Sequence, residues 1–384
     1  MKLVYLLLHD FRFASIGLEE FAFHRFHFSK EYARRMAQLG HEVKLYVMSG
    51  EIARKKILSV DGYELKAFRP SFHFPPFMRF GNTHSVEVMA ELEQDAPDLV
   101  HFHNYYLWNF PYIVPWVKRK GTPLVAQYHG TDPIRQVKAR AFYPSLRLCD
   151  SLIVPTYREE RFLTRTLRLP SGRVVRLPST GVDTRIFKRV YPPDPEPLLS
   201  YVGRIPLPAT YRWEKAPHLL LPLVKALLGL GVRARLVVAG DGPGLPIMKS
   251  SASRLGVETS VDFLGAVDQR VLPELYSRSR LTFVPMYMED IEPFWGGTVQ
   301  ESLACGTPVA AFNESSPGPR RFGLLLPPGG RGAPLVARSL AEADSLFKAG
   351  KEGSDFIKAH CDWESVAANV ASIYERLLSR SRRN

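Results

Sequence analysis

Short apolar runs alternate with longer stretches of helical periodicity along almost the whole chain, as in βα units that build a parallel sheet. In the first half, strands are predicted at 3–8, 43–48, 99–102, 124–128, 152–155 and 174–177. Helices are predicted between them at about 17–39, 84–94, 105–119, 134–148 and 158–167. This pattern favours the α/β class with a doubly wound sheet.

A proline-rich segment then interrupts the alternation, with four prolines between Tyr191 and Pro197. Prolines at this density cannot join the interior of a helix or sheet, so we predict two domains, 1–190 and 191–362. In the second domain, strands are predicted at 199–202, 235–239, 261–264, 281–285, 308–312 and 324–326. Its helices are predicted near 215–230, 244–255, 270–279, 298–305, 335–349 and 353–360.

The C-terminal segment 363–384 has apolar residues at helical spacing and could pack back on the first domain. The two doubly wound, Rossmann-like domains are expected to face a central cleft, because ligands of such sheets bind at the carboxyl ends of the strands.

Composition narrows the class of protein. The 384 residues are 45% hydrophobic and 23% charged, which is typical of soluble globular proteins and excludes disordered or collagenous chains. The net charge of +13 favours anionic partners.

Three widely spaced cysteines, Cys149, Cys305 and Cys361, indicate a reducing compartment and no structural zinc. The N-terminal apolar run is too short for a signal peptide, and no apolar stretch is long enough to span a membrane. We therefore expect a cytoplasmic protein.

Several nucleotide-binding and hydrolase motifs are absent from the sequence. The first strand is followed by 9–17 without a G-x-G-x-x-G pattern, so an NAD-type site is not expected there. No Walker A, His-Glu-x-x-His or Gly-x-Ser-x-Gly sequence occurs either. The sequence thus argues against a P-loop ATPase, a zincin and an α/β-hydrolase.

The most informative region is 284–310, where a predicted strand, an acidic loop and Gly296-Gly297 precede a predicted helix. Glycines before a helix let backbone amides approach a ligand closely, and the helix start attracts phosphate. Glu301, one turn inside the helix, would accept hydrogen bonds from sugar hydroxyls, as acidic residues do for ribose in dinucleotide folds. The combination predicts a nucleotide-sugar site.

Two cations could complement the diphosphate of such a ligand. Arg204 follows the predicted strand 199–202, and Lys215 precedes the next predicted helix. A planar guanidinium and a compact ammonium suit a leaving diphosphate whose charge grows as the glycosidic bond breaks. Taken singly, each residue is more simply interpreted as a surface charge.

An ordered set of motifs carries a family resemblance. The set is Gly40-His41-Glu42-Val43, His129-Gly130, Ser179-Thr180-Gly181-Val182-Asp183, Val202-Gly203-Arg204, Glu214-Lys215, Gly240-Asp241-Gly242-Pro243 and Glu301-Ser302-Leu303-Ala304-Cys305-Gly306-Thr307-Pro308. With these motifs the chain resembles the retaining GT-B glycosyltransferases of the large "group 1" family, which includes sucrose-phosphate synthases and bacterial phosphatidylinositol mannosyltransferases.

The resemblance implies a role for each matching residue. Arg204 and Lys215 would hold the donor diphosphate, Glu301 the donor ribose, and His129 would reach across the cleft to the transferred sugar. The remaining donor-binding positions would lie in the glycine turns and the helix start: Gly203, Gly296, Gly297, Thr298 and Val299.

The sequence departs from the family pattern at three places. Pro293 stands eight residues before Glu301, where the family has a glutamate, and Glu292 immediately precedes it. Either the loop is one residue longer and Glu292 does that work, or recognition of the donor sugar differs. The family's N-terminal Gly-Gly is reduced to Gly17, and an insertion at 206–212 separates Arg204 from Lys215.

On the acceptor side, Gly17 and His103 are the candidates. His103 lies nearest the end of its predicted strand, whereas His101, on the same face, is expected to pack in the interior.

The family resemblance also implies a mechanism. Retention would proceed by front-face attack, with the leaving phosphate helping to deprotonate the acceptor hydroxyl. The protein would then mainly position the reactants and stabilise charge. We therefore expect no metal and no cofactor besides the nucleotide-sugar substrate.

Aromatic and basic residues interleave at 21–28 and 72–80, and arginines crowd the C-terminus. Such surfaces can bind anionic lipid, so we expect peripheral attachment to the inner membrane face and a lipid-linked or glycan acceptor. The alternative is that the phenylalanines are core and the charge aids solubility.

Two other functions share these motifs, namely a GT-B sugar-nucleotide epimerase and a non-catalytic nucleotide-sugar or glycan-binding protein. No nucleic-acid motif accompanies the basic charge, so no nucleic acid is expected as a partner.

Overall fold

The computed structural model describes residues 1–11, 16–24, 26–74, 83–129, 135–207 and 215–381. The chain forms two compact units, one of Met1–Ser179 with Trp363–Asn384 and one of Thr180–Asp362. Each unit has a sheet of mostly parallel strands with helices around it, which confirms the predicted α/β class.

The sheet of the first unit has the strand order β10-β9-β8-β7-β1-β2-β4-β3. Its strands are β1 (Lys2–Asp10), β2 (Glu42–Met48), β3 (Lys56–Val60), β4 (Tyr63–Phe68), β7 (Leu99–His103), β8 (Leu124–Gln127), β9 (Ser151–Val154) and β10 (Val174–Arg176), and β5 (Phe72–His73) pairs separately with β6 (Thr83–His84). All neighbours in the sheet are parallel except β3 and β4. The carboxyl ends of β7 and β8 therefore bring His103 and the segment after Gln127 to one edge.

Helices cover the sheet of the first unit: α1 (Phe28–Gln38), α2 (Glu87–Asp95), α3 (Phe110–Arg119), α4 (Arg135–Ala141), α5 (Tyr143–Leu148), α6 (Tyr157–Arg161) and, from the chain end, α13 (Trp363–Ser381). The apolar side of α13 joins the core of this unit through Trp363, Val366, Val370 and Tyr374. The C-terminal helix thus belongs to the first unit.

The sheet of the second unit has the order β13-β12-β11-β14-β15-β17-β16. Its strands are β11 (Leu198–Val202), β12 (Arg235–Ala239), β13 (Val261–Gly265), β14 (Leu281–Tyr287), β15 (Val309–Phe312), β16 (Gly318–Arg320) and β17 (Gly323–Leu326). Its helices are α7 (Leu220–Gly229), α8 (Leu245–Leu255), α9 (Leu272–Arg278), α10 (Gly297–Ala304), α11 (Ala333–Ala341) and α12 (Ala343–His360). β11 is central, so its carboxyl end is flanked by the loops after β12 and β14.

The first unit ends at Ser179, whereas the sequence placed the boundary at 190/191. The intervening segment packs on the second unit, because Val182 and Phe187 are buried in a core cluster with Val202 and Leu303. The guanidinium of Arg189 also donates to the Gly306 carbonyl oxygen. The proline-rich segment follows the boundary instead of forming it.

Several predicted helices have other bounds in the structure. The helix predicted at 17–39 is divided into a π-helical turn, Glu20–His24, and α1. His27 has extended backbone angles at the start of α1, and its ring accepts a bond from the Ser29 amide at 3.3 Å. Two helices were predicted at 335–349 and 353–360. In the structure the first, α11, ends before Glu342, and the second, α12, begins directly after it and continues through Gly350 and Gly353.

Among the described residues, no helix combines the length and hydropathy needed to cross a lipid bilayer.

Candidate active site

The predicted donor-binding residues begin at the carboxyl end of β11. The Gly203 amide donates to the Ala239 carbonyl oxygen at 3.0 Å. A Cβ atom on Gly240 would lie 1.9 Å from the Gly203 carbonyl oxygen, so the two loops can approach this closely only with glycine. The Tyr201 hydroxyl donates to the Arg204 carbonyl oxygen at 2.6 Å. These contacts fix the backbone of Arg204, and its side chain is exposed.

Lys215 extends its ammonium group toward the same strand end. Its Nζ donates to Thr298 Oγ1 at 3.1 Å and to the Val202 carbonyl oxygen at 3.3 Å. A Cβ atom on Gly203 would lie 2.8 Å from this nitrogen, so the glycine leaves room for the lysine. Burial lowers the pKa of Lys215 to about 8, while the charge of Glu301 acts in the opposite direction. An anionic ligand would stabilise this desolvated cation.

The start of α10 presents free backbone amides. Gly296 precedes the helix with a φ of +74°, a conformation that favours glycine. The first intrahelical bond joins the Gln300 amide to the Gly296 carbonyl oxygen, so the amides of Gly297, Thr298 and Val299 have no partner within the helix. No side chain caps this helix start. Amides in this arrangement, together with the helix dipole, can bind phosphate.

Glu301 lies one turn into α10 and is held by two neighbours. Its Oε2 accepts from the Tyr276 hydroxyl at 2.9 Å, and its Oε1 accepts from Gln269 Nε2 at 3.3 Å. Burial raises the pKa of Glu301, whereas these two hydrogen bonds and the charge of Lys215 oppose that shift. The carboxylate therefore has a fixed orientation close to a cation.

The loop with the altered glutamate spacing forms a tight turn. The Trp295 amide donates to the Glu292 carbonyl oxygen at 3.0 Å, and Pro293 and Phe294 are buried. The Pro293 carbonyl oxygen also accepts from Cys361 Sγ at 3.8 Å. The turn and the positive φ of Gly296 lead the chain into α10 while Phe294 stays in the core.

His129 follows β8 in the first unit, and both of its ring nitrogens have partners there. Nδ1 lies 2.6 Å from the Ser179 carbonyl oxygen, and Nε2 lies 2.8 Å from His103 Nδ1. A carbonyl oxygen can only accept, so His129 Nδ1 carries a proton and its Nε2 accepts from His103. The ring also stacks on Phe28 at a centroid distance of 3.8 Å. Burial lowers the pKa of His129 well below its usual value, which keeps the imidazole neutral.

The two acceptor-side candidates, His103 and Gly17, are less exposed than we expected from the sequence. His103 is fully buried, although it lies at the end of its strand. Its ring contacts His129 instead of solvent. Gly17 is followed by Leu18, whose amide donates to the carboxylate of Glu51. That carboxylate already occupies the helix start next to Gly17.

Parts of the predicted site lie outside the described residues. Gly130 lies in the gap at 130–134. Glu214 and most of the insertion at 206–212 lie in the gap at 208–214. Within the described ranges, no three histidine, cysteine, aspartate or glutamate side chains form a group suited to a metal ion.

Sequence reasoning missed Tyr276, Gln269 and Gln300. Tyr276 lies on the buried side of α9, where helical periodicity indicates only a core residue. Gln300 precedes Glu301 on α10 and is fully buried. The available signal in the sequence was a glutamine directly before the motif acid Glu301.

The fold defines the class of protein, which is a GT-B protein with two doubly wound α/β domains. Sucrose-phosphate synthase from Thermosynechococcus elongatus superimposes with a TM-score of 0.70 at 19% identity, over 99% of this chain and all of that one. HepE of Anabaena in complex with UDP gives a TM-score of 0.68 at 15% identity, over 98% of this chain and all of that one. The predicted GT-B fold is confirmed.

Sequence comparisons identify the family. Residues 28–186 match the glycosyltransferase family 4 profile, and residues 183–322 match glycosyl transferases group 1. A D-inositol 3-phosphate glycosyltransferase from Catenulispora acidiphila is 31% identical over 73% of this chain and 70% of its own length. One from Nocardiopsis dassonvillei is 31% identical over 62% of this chain, and the match spans 59% of that protein's length. The chain belongs to the group 1 glycosyltransferase family.

Proposed function

We propose that this protein is a retaining glycosyltransferase that moves a sugar from a nucleotide-diphosphate donor to a hydroxyl acceptor. The observation that carries this proposal is the arrangement around α10. Its free amides, the Lys215 ammonium 3.1 Å from Thr298 Oγ1, and the oriented Glu301 carboxylate lie together after β11. The amides match the phosphate, the Lys215 ammonium matches the diphosphate charge, and the Glu301 carboxylate matches the ribose hydroxyls. HepE, a structural neighbour, has been crystallised with UDP and with UDP-glucose.

In the proposed reaction, the second unit stabilises the leaving diphosphate. The α10 amides, Arg204 and Lys215 neutralise the charge that develops as the bond from the anomeric carbon to the phosphate oxygen breaks. The acceptor oxygen bonds to that carbon from the same face, and its proton passes to the leaving phosphate. No carboxylate pair and no metal ion is required in this mechanism, so we propose metal-independent transfer without a cofactor.

The acceptor would bind to the first unit. His129 is neutral and bonded to His103, so we propose that it positions the transferred sugar through its ring surface and backbone, with His103 and Gly17 supporting it. Glu292 is the proposed partner of the donor sugar, in the role of the family's first glutamate. The turn at 292–295, which Glu292 opens before α10, supports this assignment.

The test is a panel of UDP-, GDP- and ADP-sugars measured by thermal shift, since a ligand that binds the native state raises the melting temperature. Binding followed by transfer with retained anomeric configuration, read by NMR, would support the proposal. Release of a changed sugar without an acceptor would indicate an epimerase, and binding without turnover would indicate a nucleotide-sugar-binding protein.

Replacing Lys215 by Ala should lower turnover by roughly 100-fold or more, as expected for loss of a group that stabilises transition-state charge. Stability should be little affected, because removing a desolvated cation also removes its burial cost. Lys225→Ala on the exposed side of α7 is the matched control. Unchanged transfer by the Lys215 variant would contradict its role.

We also propose peripheral attachment to an anionic membrane surface on the cytoplasmic side, with a lipid-linked or glycan acceptor. Phe23, Phe26, Phe72 and Phe74 are between 42% and 59% exposed, so these four are not core residues. Phe21 is buried, and 75–82 lie outside the described residues. Exposed phenylalanines in a chain of net charge +13 suit binding to anionic lipid.

Flotation with anionic and neutral liposomes at low salt tests this attachment. We expect the wild-type protein to float with the anionic vesicles and the Phe23→Ser/Phe74→Ser variant to float several-fold less. Recovery of the wild-type protein entirely in the soluble fraction would contradict the attachment.

A further inference from the structure

Three successive carbonyl groups in the segment that joins the two units are bonded to side chains. The Pro178 carbonyl oxygen accepts from the Tyr32 hydroxyl and from Gln127 Nε2, each at 3.3 Å. The next carbonyl oxygen, that of Ser179, accepts from His129 at 2.6 Å. The first unit therefore holds its end of the connection by buried polar side chains.

The third carbonyl is held from the second unit. Gln300 Nε2 donates to the Thr180 carbonyl oxygen at 2.9 Å. Gln300 lies on α10 between Val299 and Glu301, and its side chain is fully buried. The helix that carries the proposed donor-binding amides is thus bonded to the segment adjoining Ser179.

Gln300 carries a further indication of function. Its Oε1 is buried and has no hydrogen-bond partner among the described residues. A buried carbonyl without a partner is unfavourable, and such a group calls for an explanation beyond stability. An apolar side chain of similar size would avoid this cost, so the bond from the amide nitrogen is what the glutamine contributes here.

The chain returns from the second unit to the first after Asp362, and the residues just before this return pair with the segment that follows Thr180. Val182 forms a bridge with Asp362, and its amide donates to the Cys361 carbonyl oxygen at 2.9 Å. The Thr184 hydroxyl donates to Asp362 Oδ2 at 2.7 Å. Both connections are paired on the second unit. The Ser179 and Thr180 carbonyls belong to adjacent peptide planes that share the Thr180 Cα atom, so a shift of α10 that moves the Thr180 carbonyl acts on Ser179 across a single Cα atom.

We propose that Gln300 is a positioning residue that couples occupancy of the donor site on α10 to the position of His129. The coupling path is the Gln300 amide, the Thr180 carbonyl, the peptide link to Ser179 and the bond from His129 Nδ1. This inference rests on the proposed function, since it assumes that α10 binds a nucleotide. It adds a residue that touches neither substrate nor diphosphate.

The test uses full-length protein labelled at histidine ring nitrogens, with UDP, GDP and ADP as probes. Gln300→Met removes the N–H donor with little change in volume. In the wild-type protein, the nucleotide that binds should shift the His129 ring resonances, which are assigned by their loss in His129→Asn. In Gln300→Met the same nucleotide should bind within about threefold of wild type while the His129 shift is lost. Turnover should fall roughly fivefold at an unchanged donor KM, as for loss of one buried hydrogen bond.

Gln94→Met, on the exposed side of α2, is the matched control and should retain both the shift and the turnover. Where Gln300→Met folds poorly, Gln300→Leu also removes the donor and places no charge in the core. A full His129 shift in the Gln300 variants, or nucleotide binding to wild type without any His129 shift, would overturn the coupling. Failure of all three nucleotides to bind wild-type protein would instead contradict the proposed function itself.

Discussion

At the scale of single residues, the orientation of functional groups is set by neighbours that no motif contains. Glu301 is visible in the sequence, but the hydroxyl that orients it comes from Tyr276, 25 positions away in the chain. His129 is likewise visible, whereas its tautomer depends on Ser179 and His103. Sequence motifs thus identify the groups, and the fold supplies their hydrogen-bond partners.

The first prediction concerns Tyr276. Tyr276→Phe removes the hydroxyl that donates to Glu301 Oε2 at 2.9 Å and leaves the buried ring in place. A hydrogen bond to a charged group contributes about 1.5–3 kcal/mol, so we expect nucleotide affinity to fall about tenfold. Isothermal titration with the nucleotide that binds measures the change.

Nucleotides lacking the ribose hydroxyls provide the control for this prediction. If Glu301 binds ribose, 2′,3′-dideoxy nucleotides should bind the wild-type protein and Tyr276→Phe equally well. An equal loss with both kinds of nucleotide would show that the substitution acts on the fold and not on ribose recognition.

At the scale of elements, the parallel strands could be predicted because they are short apolar runs that the sheet buries on both faces. Most helices could be predicted because their apolar positions are periodic. The antiparallel hairpin of β3 and β4 was missed, although Asp61-Gly62 between the two strands is a strong hairpin signal. Both residues have positive φ, 42° and 86°, as a tight two-residue turn requires. Elements of a few residues, such as β5, β6 and β16, have too little periodicity to be recognised.

Glycines in α12 show why its boundaries were mispredicted. A Cβ atom on Gly350 would lie 2.0 Å from the Gly306 carbonyl oxygen, and one on Gly353 would lie 2.7 Å from Leu303 Cδ2. These glycines permit close packing of α12 against α10 and the residues after it. In the sequence, the same residues look like helix ends.

The second prediction follows from this packing. Gly350→Ala should destabilise the second unit by about 1–3 kcal/mol, since the added methyl group has no space. Gly229→Ala, in α7 with nothing within 4 Å of the added atom, should be neutral or stabilising by up to about 1 kcal/mol through helix propensity. Urea unfolding of both variants measures the difference. Equal effects on stability would contradict the packing argument.

At the scale of the whole molecule, the two units differ in the number of histidines whose pKa burial lowers. Burial lowers the pKa values of seven imidazoles in the first unit, namely His9, His27, His41, His84, His101, His103 and His129. For His9 the pKa falls to about 4 and for His101 to about 3. The second unit contains just two histidines, His218 and His360, and burial lowers the pKa of His218 as well. The composition alone does not reveal this difference, because it depends on which histidines the fold buries.

The third prediction is that mild acid destabilises the first unit selectively. Each buried histidine has a folded pKa below the value of about 6.5 in an unfolded chain, so the unfolded state binds more protons below that pH. Stability should therefore be fully present above pH ~6.5 and fall as the pH is lowered, by up to about 1.4 kcal/mol per pH unit for each histidine. Hydrogen exchange at pH 7.5 and 5.5, corrected for intrinsic rates, should show lost protection in α1, β7 and α13. Strands β11, β12 and β14 serve as the internal control, and an equal or larger loss there would contradict the prediction.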